Sequence, residues 1–537
     1  MSEASLDETI PGAVMASIAA RPEAEAVVEP ERRVTYGELG GLALAATRAM
    51  MAAGVGPGDR VALWAPNGLG WIVAALGAQC AGAALVPINT RFKGEEAAWL
   101  LSASKAPLLV TTVGFLDSDT VGMLASAEMP FPALRRIVLL EGSRPAKTAP
   151  DGVELEAWSD FLARGDQVDP AAAGARRDGV RPTDPSDVLF TSGTTGRPKG
   201  VVMSHGQTVR LFREWSDFAG LEPGDRYLIV NPFFHMFGYK AGWLASLMRG
   251  ATIFPVPVFD VPEVLSLAER ERITFLPGPP TLYRSILDHP DRTCFDLASL
   301  RVAITGAADI PVTLIEEMRA ELPFRSILVG YGLTEAGTCT GSHPDDDAET
   351  IATTVGRAMP GFEVVVADAD GRELPRGETG ELLVRGHGVM QGYLDDPDAT
   401  AATIDKRGFL HTGDLATQDE RGIVRIVGRL KDMILVGGFN VYPAEVENAL
   451  LAHEAIGQVA VVGLPDARMG EVPVAYVVAA AGAAIDPPAI VAWSRERLAN
   501  YKVPRHVVAV DALPINATGK VVKQELRDRA AAELGGA

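Results

Sequence analysis

The sequence contains few cysteines and no surplus of basic residues. Its three cysteines, Cys80, Cys294 and Cys339, are far apart and odd in number, which argues against a disulfide framework or a zinc site and favours a reducing compartment such as the cytoplasm. With 49 basic and 69 acidic residues the net charge is −20, whereas a general nucleic-acid binder needs an excess of Lys and Arg. The composition therefore predicts a cytoplasmic protein without a nucleic-acid partner.

The sequence also lacks a long uninterrupted apolar run. Residues 61–90 carry no charge, but prolines, glycines, an asparagine and a glutamine interrupt them, and about 20 apolar residues are needed to cross a membrane. A strand over Arg60–Ala65, a buried helix over about Gly70–Ala81 and a strand over Ala83–Pro87 fit this stretch better. The acidic N-terminus has no apolar core of the signal-peptide type. We therefore expect neither an integral membrane segment nor a secretory leader.

The most informative segment that is present is a loop suited to a polyphosphate. The apolar run Val188–Phe190 predicts a strand, and the loop after it combines glycines, hydroxyls and a lysine, which give an anion backbone donors, side-chain donors and a positive charge. The P-loop pattern G-x-x-x-x-G-K-[ST] does not fit, because Pro198 and Gly200 occupy two of its required positions. The residues predicted to bind the phosphates are Thr191, Ser192, Gly193, Thr194, Thr195, Gly196 and Lys199.

A helix start is predicted directly after this loop. Ser204 and Gln207 have the spacing of a capping box, so we expect a helix to about Phe218 that ends at Gly220. We expect the start of this helix to complete the anion cradle together with the strand, the loop and Lys199, because helix N-termini attract phosphates.

Alternating strand-like and helical runs predict an α/β chain with parallel sheets covered on both faces. After about residue 356 the pattern changes to short strands separated by tight turns. We expect a large N-terminal domain over 1–428, made of α/β subdomains over about 1–180 and 181–355 and a β-rich, barrel-like unit over 356–428. A small mobile α+β domain is expected over 429–537. Its charged run Lys523–Arg529 is expected to form a solvated helix face.

Several further segments have an unusual composition and follow one another in a characteristic order. They are Tyr331-Gly332-Leu333-Thr334-Glu335, Thr412-Gly413-Asp414, Gly428-Arg429-Leu430-Lys431-Asp432, Gly437-Gly438-Phe439 and Pro514-Ile515-Asn516-Ala517-Thr518-Gly519-Lys520. Together with the loop, this ordered set resembles the adenylate-forming superfamily of acyl-CoA synthetases, amino-acid adenylation domains and luciferases, over essentially the whole chain.

The resemblance implies an ATP-dependent acyl-CoA synthetase, which forms an acyl-AMP and then a CoA thioester. Glu335 would hold the Mg²⁺ that accompanies ATP, Thr334 would donate to the α-phosphate, and Lys520 would bridge the carboxylate and the α-phosphate. The resemblance further implies an adenosine site formed by Gly306, Ala307, Ala308, Tyr331, Gly332, Asp414 and Arg429.

The same resemblance implies a rotation of the C-terminal domain between the two half-reactions. Lys431 matches the hinge, and Gly437, Gly438 and Phe439 would line the CoA tunnel, where glycines leave room for a narrow thiol arm. Leu435 stands where relatives carry a lysine, so no role is transferred to it.

The segment from Phe233 to Trp243 matches the part of the family that lines the acyl pocket. It is apolar and aromatic, which predicts an apolar acid. His235 matches the gate of that pocket, and Lys240 is expected to face solvent. The residue sequence of this segment resembles that of synthetases that activate a bicyclic propanoate in bacterial steroid-ring breakdown. Alicyclic and medium-chain acids remain open as alternative substrates. The predicted pocket residues are His235, Met236, Gly238, Tyr239 and Trp243.

The sequence leaves other activities open. A stand-alone adenylating ligase would load a carrier protein instead of CoA, a luciferase-like enzyme would need oxygen, and an ATP hydrolase or kinase would release phosphate without an acid. Whether the chain forms a homodimer is also open.

Overall fold

The computed structural model describes residues 8–142, 145, 148–191, 198–306, 310–437, 439–515 and 521–534. The chain divides into a larger unit, Met1–Glu363 with Val384–Leu410, and a smaller unit, Val364–Leu383 with His411–Ala537. The smaller unit thus contains about half of the predicted β-rich segment, residues 364–383 and 411–428, as well as the C-terminal segment. The predicted boundary after residue 428 stays a prediction.

The larger unit contains an eight-stranded sheet. Six of its strands are parallel, and the apolar runs of the inner ones are buried, as a sheet covered on both faces requires, whereas the edge strand Glu154–Ala157 is partly exposed. At one edge of the sheet, the strand Lys199–Ser204 is antiparallel to both of its neighbours, Pro185–Thr191 and Gly392–Tyr393. The order is Gly392–Tyr393, Lys199–Ser204, Pro185–Thr191, Ala84–Pro87, Arg60–Trp64, Leu108–Val113, Arg136–Gly142 and Glu154–Ala157.

Two four-stranded sheets of the larger unit are joined by bridges through Phe275. The first has the order Arg226–Ile229, Thr252–Pro255, Glu25–Glu29 and Arg32–Thr35. The second has the order Val302–Thr305, Ser326–Leu333, Gly337–Gly341 and Arg357–Ala358. The predicted α/β class with two parallel-type sheets is confirmed.

Helices of the larger unit connect and cover these strands. The predicted capping box of Ser204 with Gln207 is present, and Thr35 forms a second one with Glu38. The α-helices are Ile10–Ala20, Tyr36–Ala52, Leu69–Cys80, Gly94–Ser104, Thr120–Ala125, Trp158–Arg164, Pro170–Asp178, His205–Ala219, Ala245–Arg249, Val261–Arg270, Pro280–Leu287, Val312–Glu321, Ala348–Thr353 and Pro397–Thr403. Phe237–Leu244 is π-helical, and Phe115–Asp117, Gly165–Gln167 and Arg292–Cys294 are 3₁₀ turns.

The smaller unit contains most of a four-stranded sheet in the order Phe362–Ala367, Gly380–Gly386, Leu410–Gln418 and Val424–Arg429. The barrel-like shape predicted for this segment stays a prediction. A second sheet has the order Phe439–Val441, Ile434–Val436, Gly470–Ala479 and Ile456–Asp466, and His506–Ala509 pairs with Gly470–Ala479. The helices are Pro443–Leu451, Pro487–Arg495 and Lys523–Leu534, with a 3₁₀ turn at Leu430–Asp432.

Three segments predicted to bind ATP lie at the carboxyl ends of strands in the larger unit. These strands are Pro185–Thr191, Val302–Thr305 and Ser326–Leu333. Ligands of open α/β sheets bind outside this edge, so the fold provides a physical reason for the position of these segments. Across the described ranges, no helix combines the length and apolarity needed to span a membrane.

Candidate active site

The predicted phosphate loop lies at the tip of a β-hairpin. Pro185–Thr191 and Lys199–Ser204 pair antiparallel, so that Thr191 lies opposite Lys199, and the Thr191 hydroxyl donates to the Lys199 carbonyl at 3.5 Å. The hairpin therefore holds both ends of the loop. The intervening Ser192, Gly193, Thr194, Thr195 and Gly196 lie outside the described residues.

The expected contribution of the helix start to the anion cradle was wrong. The strand Lys199–Ser204 separates the loop from the helix His205–Ala219, and a six-residue strand spans about 20 Å. The β-branched pair Val201-Val202 was the sequence signal for this strand. The predicted cradle is therefore limited to the hairpin and its loop, without the helix dipole.

The predicted adenine-binding segments adjoin each other at the ends of neighbouring parallel strands. Thr305 pairs with Val329, and a side chain added at Gly306 would meet the carbonyl of Gly330, next to Tyr331, at 3.0 Å. Gly332 has no room for a side chain either, because a Cβ there would lie 2.2 Å from the Gly337 carbonyl. Gly306 and Tyr331 are thus brought together, while Ala307 and Ala308 lie outside the described residues.

Glu335 and Lys199 are both in contact with Tyr393, which the sequence analysis missed. The Tyr393 hydroxyl donates to Oε1 of Glu335 at 3.1 Å, and Nζ of Lys199 lies 4.8 Å from the centre of the Tyr393 ring. Burial and then the Glu335 charge raise the pKa of the Tyr393 phenol, so it is a donor at neutral pH. Thr334 precedes Glu335 and is half-buried.

The donor set at Glu335 fits a magnesium ion that arrives with a nucleotide. Mg²⁺ in such sites takes one or two carboxylates and completes its octahedron with phosphate oxygens and water. Glu335 is half-buried, and one of its oxygens is oriented by Tyr393. In the part of the chain that the structure describes, no group of three or more His, Cys, Asp or Glu is arranged to hold a metal ion.

Asn67 holds the segment that leads to the predicted gate and was also missed. Its Oδ1 accepts from the Phe233 amide at 2.8 Å, and its Nδ2 donates to the carbonyls of Asn231 at 3.0 Å and Val256 at 3.2 Å. Only a turn signal marks Asn67 in the sequence, because its partners are more than 160 residues away. His235 itself is exposed, and its Nδ1 accepts from the Phe237 amide at 3.3 Å.

The rest of the predicted acyl segment is largely buried. Met236 is half-buried, and Gly238 cannot carry a side chain, since a Cβ would lie 2.2 Å from the Pro232 carbonyl. Tyr239 and Trp243 are fully buried and stack on each other with ring centres 5.1 Å apart. This segment is π-helical, and π-helical turns occur frequently at functional sites.

The expectation that Lys240 faces solvent was wrong. Its side chain is fully buried, its Nζ lies 2.9 Å from Oδ1 of the equally buried Asp187, and it also donates to the Thr208 hydroxyl at 3.3 Å. Burial lowers the pKa of Lys240, and Asp187 opposes that shift. Asp187 lies in the strand that leads to the phosphate loop, so the pair links this strand to the gate segment.

In the smaller unit, Asp414 and Arg429 pair across two antiparallel strands. Nε of Arg429 lies 2.6 Å from Oδ1 of Asp414, whose side chain is buried. Arg429 thus orients the carboxylate that is predicted to accept from the ribose. Their roles toward a nucleotide stay predictions.

The predicted hinge and tunnel residues lie in or beside the strands that follow. Lys431 is exposed in the 3₁₀ turn Leu430–Asp432, and Gly437 has a φ of 59° in a tight turn. Phe439 is 58% exposed and stacks on Tyr501 at 4.8 Å, so an aromatic face lies at the predicted tunnel. Gly438 and Lys520 lie outside the described residues.

The C-terminal helix is less solvated than expected. Nζ of Lys523 lies 2.7 Å from Oε1 of Glu447, and Arg527 forms an ion pair with Asp432. Two charges of the predicted solvated run therefore attach the helix to the rest of the smaller unit.

Comparison with known proteins identifies the family. A family model described as AMP-binding enzyme matches residues 14–394, and one described as AMP-binding enzyme C-terminal domain matches residues 445–520. The chain belongs to the AMP-binding enzyme family. The predicted membership of the adenylate-forming superfamily is thereby confirmed.

Two relatives of this AMP-binding enzyme carry the same name, 3-[(3aS,4S,7aS)-7a-methyl-1,5-dioxo-octahydro-1H-inden-4-yl]propanoyl:CoA ligase. The protein from Rhodococcus jostii is 49% identical over 522 residues, covering 97% of this chain and 98% of the relative. The protein from Mycobacterium tuberculosis is 48% identical over 521 residues, with the same coverage. The expected resemblance to ligases of a bicyclic propanoate is confirmed.

A solved structure agrees in fold. The anthranilate CoA ligase AuaEII in complex with anthranoyl-AMP superposes with a TM-score of 0.82 at 25% identity, covering 99% of this chain and 98% of that one. The chain is an ATP-dependent acyl-CoA ligase that proceeds through an acyl-AMP, as predicted.

Proposed function

We propose that this acyl-CoA ligase activates a bicyclic propanoate with oxygenated rings. The observation that carries the proposal is the near-50% identity, over almost the full length, to two ligases named for such an acid. The aromatic character of Phe233–Trp243 supports it, because an apolar bicycle needs apolar walls. Alicyclic and medium-chain acids are the competing substrates.

A substrate panel tests this proposal. With ATP and CoA, a 1,5-dioxo-hydrindane propanoate should exceed cyclohexanepropanoate and octanoate in kcat/KM for AMP release by at least about tenfold, since each unfilled methylene of a pocket costs 10-fold or more. Equal or higher kcat/KM with octanoate would contradict the proposed acid.

Exchange of labelled pyrophosphate into ATP should require the acid, and phosphate release without acid would instead indicate a hydrolase.

We propose that the larger unit contributes the groups around the triphosphate. In the first half-reaction a carboxylate oxygen attacks the α-phosphorus, and the bond to the β-phosphate oxygen breaks to release pyrophosphate. Lys199 and the loop residues 191–196 hold the β- and γ-phosphates, and Thr334 donates to the α-phosphate. Preorganised donors of this kind stabilise the charge that develops during the transfer.

Glu335 is the proposed magnesium ligand. When bound, Mg²⁺ supplies a positive charge that neutralises the phosphate oxygens as they leave. Tyr331 and the Gly306–Ala308 turn are proposed to enclose adenine, and Asp414 with Arg429 to bind the ribose.

We further propose that Lys431 is a hinge at which the C-terminal domain rotates between the half-reactions. Lys520 serves acyl-adenylate formation, and Gly437, Gly438 and Phe439 serve the thioester step. In that step the CoA sulfur attacks the acyl carbon, the bond to AMP breaks, and the thiol proton passes to solvent. We propose the cytoplasm as the compartment. Light scattering would show whether the chain forms a homodimer.

Gly438→Trp is expected to block the thioester step selectively. An indole at this position would fill the proposed tunnel, while the adenylation groups of the larger unit are untouched. Rapid-quench assays should show normal acyl-AMP formation followed by slow CoA ester formation. Gly41→Trp, at an exposed helix glycine with open space around its Cα, serves as the control. Normal CoA turnover in Gly438→Trp would contradict the tunnel assignment.

A further inference from the structure

Residues 390–394 connect the two charged groups proposed to act on the triphosphate. On one side, the Met390 amide donates to the Glu335 carbonyl at 2.8 Å, and the Tyr393 hydroxyl donates to Oε1 of the Glu335 carboxylate at 3.1 Å. Both the backbone and the side chain of Glu335 are therefore held by the same short segment.

On the other side, the same segment pairs with the strand that begins at Lys199. Tyr393 lies opposite Val201, and the Leu394 amide donates to the Gly200 carbonyl at 2.7 Å. This pairing places the ring of Tyr393 next to the Lys199 ammonium, 4.8 Å from Nζ to the ring centre. A cation at this distance from an aromatic face is attracted to it.

We infer that Tyr393 is a positioning residue for the magnesium–ATP complex. Its hydroxyl orients the Glu335 carboxylate, and its ring holds the Lys199 ammonium, so one side chain sets the relative position of the metal ligand and the phosphate-binding cation. The inference rests on the proposed roles of Glu335 and Lys199. Groups that hydrogen-bond to a metal ligand set its orientation, and their loss reduces metal affinity by about 10–100-fold.

Two substitutions separate the hydroxyl from the ring. Tyr393→Phe retains the ring and should weaken metal binding by about 10-fold or more, with the KM for the acid unchanged. Tyr393→Leu removes the ring as well and should also raise the KM for ATP beyond that of Tyr393→Phe. A purely structural role would instead lower kcat for all substrates together and lower the melting temperature.

The decisive measurement is the enhancement of water-proton relaxation when Mn²⁺–ATP binds in the absence of acid, because it distinguishes Mn²⁺ held on the protein from Mn²⁺–ATP in solution and does not depend on turnover. Tyr36→Phe is the matched control, because it removes a buried hydroxyl that donates to the Ala251 carbonyl at 2.8 Å, and it should bind Mn²⁺ normally.

Glu335→Gln distinguishes failure of this inference from failure of the proposed function. Weak Mn²⁺ binding in both Glu335→Gln and Tyr393→Phe supports the positioning role. Weak binding in Glu335→Gln with normal binding in Tyr393→Phe would overturn the inference and leave the metal role of Glu335 intact. Normal binding in Glu335→Gln would overturn both.

Discussion

Lys520→Ala is expected to slow acyl-adenylate formation by about 10²–10³-fold, the loss observed when one preorganised charge-stabilising donor is removed. The family model for the C-terminal domain extends through residue 520, which supports the assignment of this lysine. Its ammonium would compensate negative charge only while the carboxylate attacks the α-phosphate. Thioester formation from supplied acyl-adenylate should therefore stay near the rate of the unchanged protein.

The two half-reactions can be measured separately. Pyrophosphate exchange reports on adenylation, and CoA ester formation from synthetic acyl-adenylate reports on the second step. Lys406→Ala removes an exposed lysine of the larger unit and should leave both rates unchanged. Equal losses in both assays for Lys520→Ala would contradict the idea that different conformations serve the two steps.

Local signals predicted much of the fold. The capping box at Ser204 and the apolar strand that begins at Arg60 each depend on residues a few positions apart, and each element was found within one or two residues of its predicted place. For the candidate site, the ordered motifs predicted the family to which the chain belongs, and the phosphate, adenine and metal roles of these segments stay predictions.

Contacts between residues that are far apart in the sequence were not predicted. Tyr393 is 58 positions from Glu335, and Lys240 finds its carboxylate in a strand 53 positions earlier. No periodicity connects such residues, so Tyr393 was overlooked and Lys240 was expected in solvent. The strand Lys199–Ser204 was missed for a different reason. The capping box directly after this strand favoured a helix, and that signal was given more weight than the β-branched pair Val201-Val202 within the strand.

The buried pair of Lys240 and Asp187 provides the second large prediction. Neither side chain has any exposed area, and Asp187 also accepts from the Ser186 hydroxyl at 2.7 Å. Lys240→Met removes the cation and leaves a buried carboxylate uncompensated, which typically costs about 3–5 kcal/mol. We therefore expect a large decrease in the free energy of unfolding of the larger unit, measured by urea titration with tryptophan fluorescence, since every tryptophan except Trp493 lies in that unit.

Lys105→Met is the matched control, because Lys105 forms an ion pair of similar length, 2.9 Å, with Asp395 but is 64% exposed. Water compensates an exposed carboxylate, so this variant should lose no more than about 1 kcal/mol. The double variant Asp187→Asn with Lys240→Met should be more stable than Lys240→Met alone, because a neutral amide no longer requires the cation. If the double variant were as unstable as the sum of the two single variants, the loss in Lys240→Met would come from packing, and the coupling between the phosphate-loop strand and the gate segment would not be electrostatic.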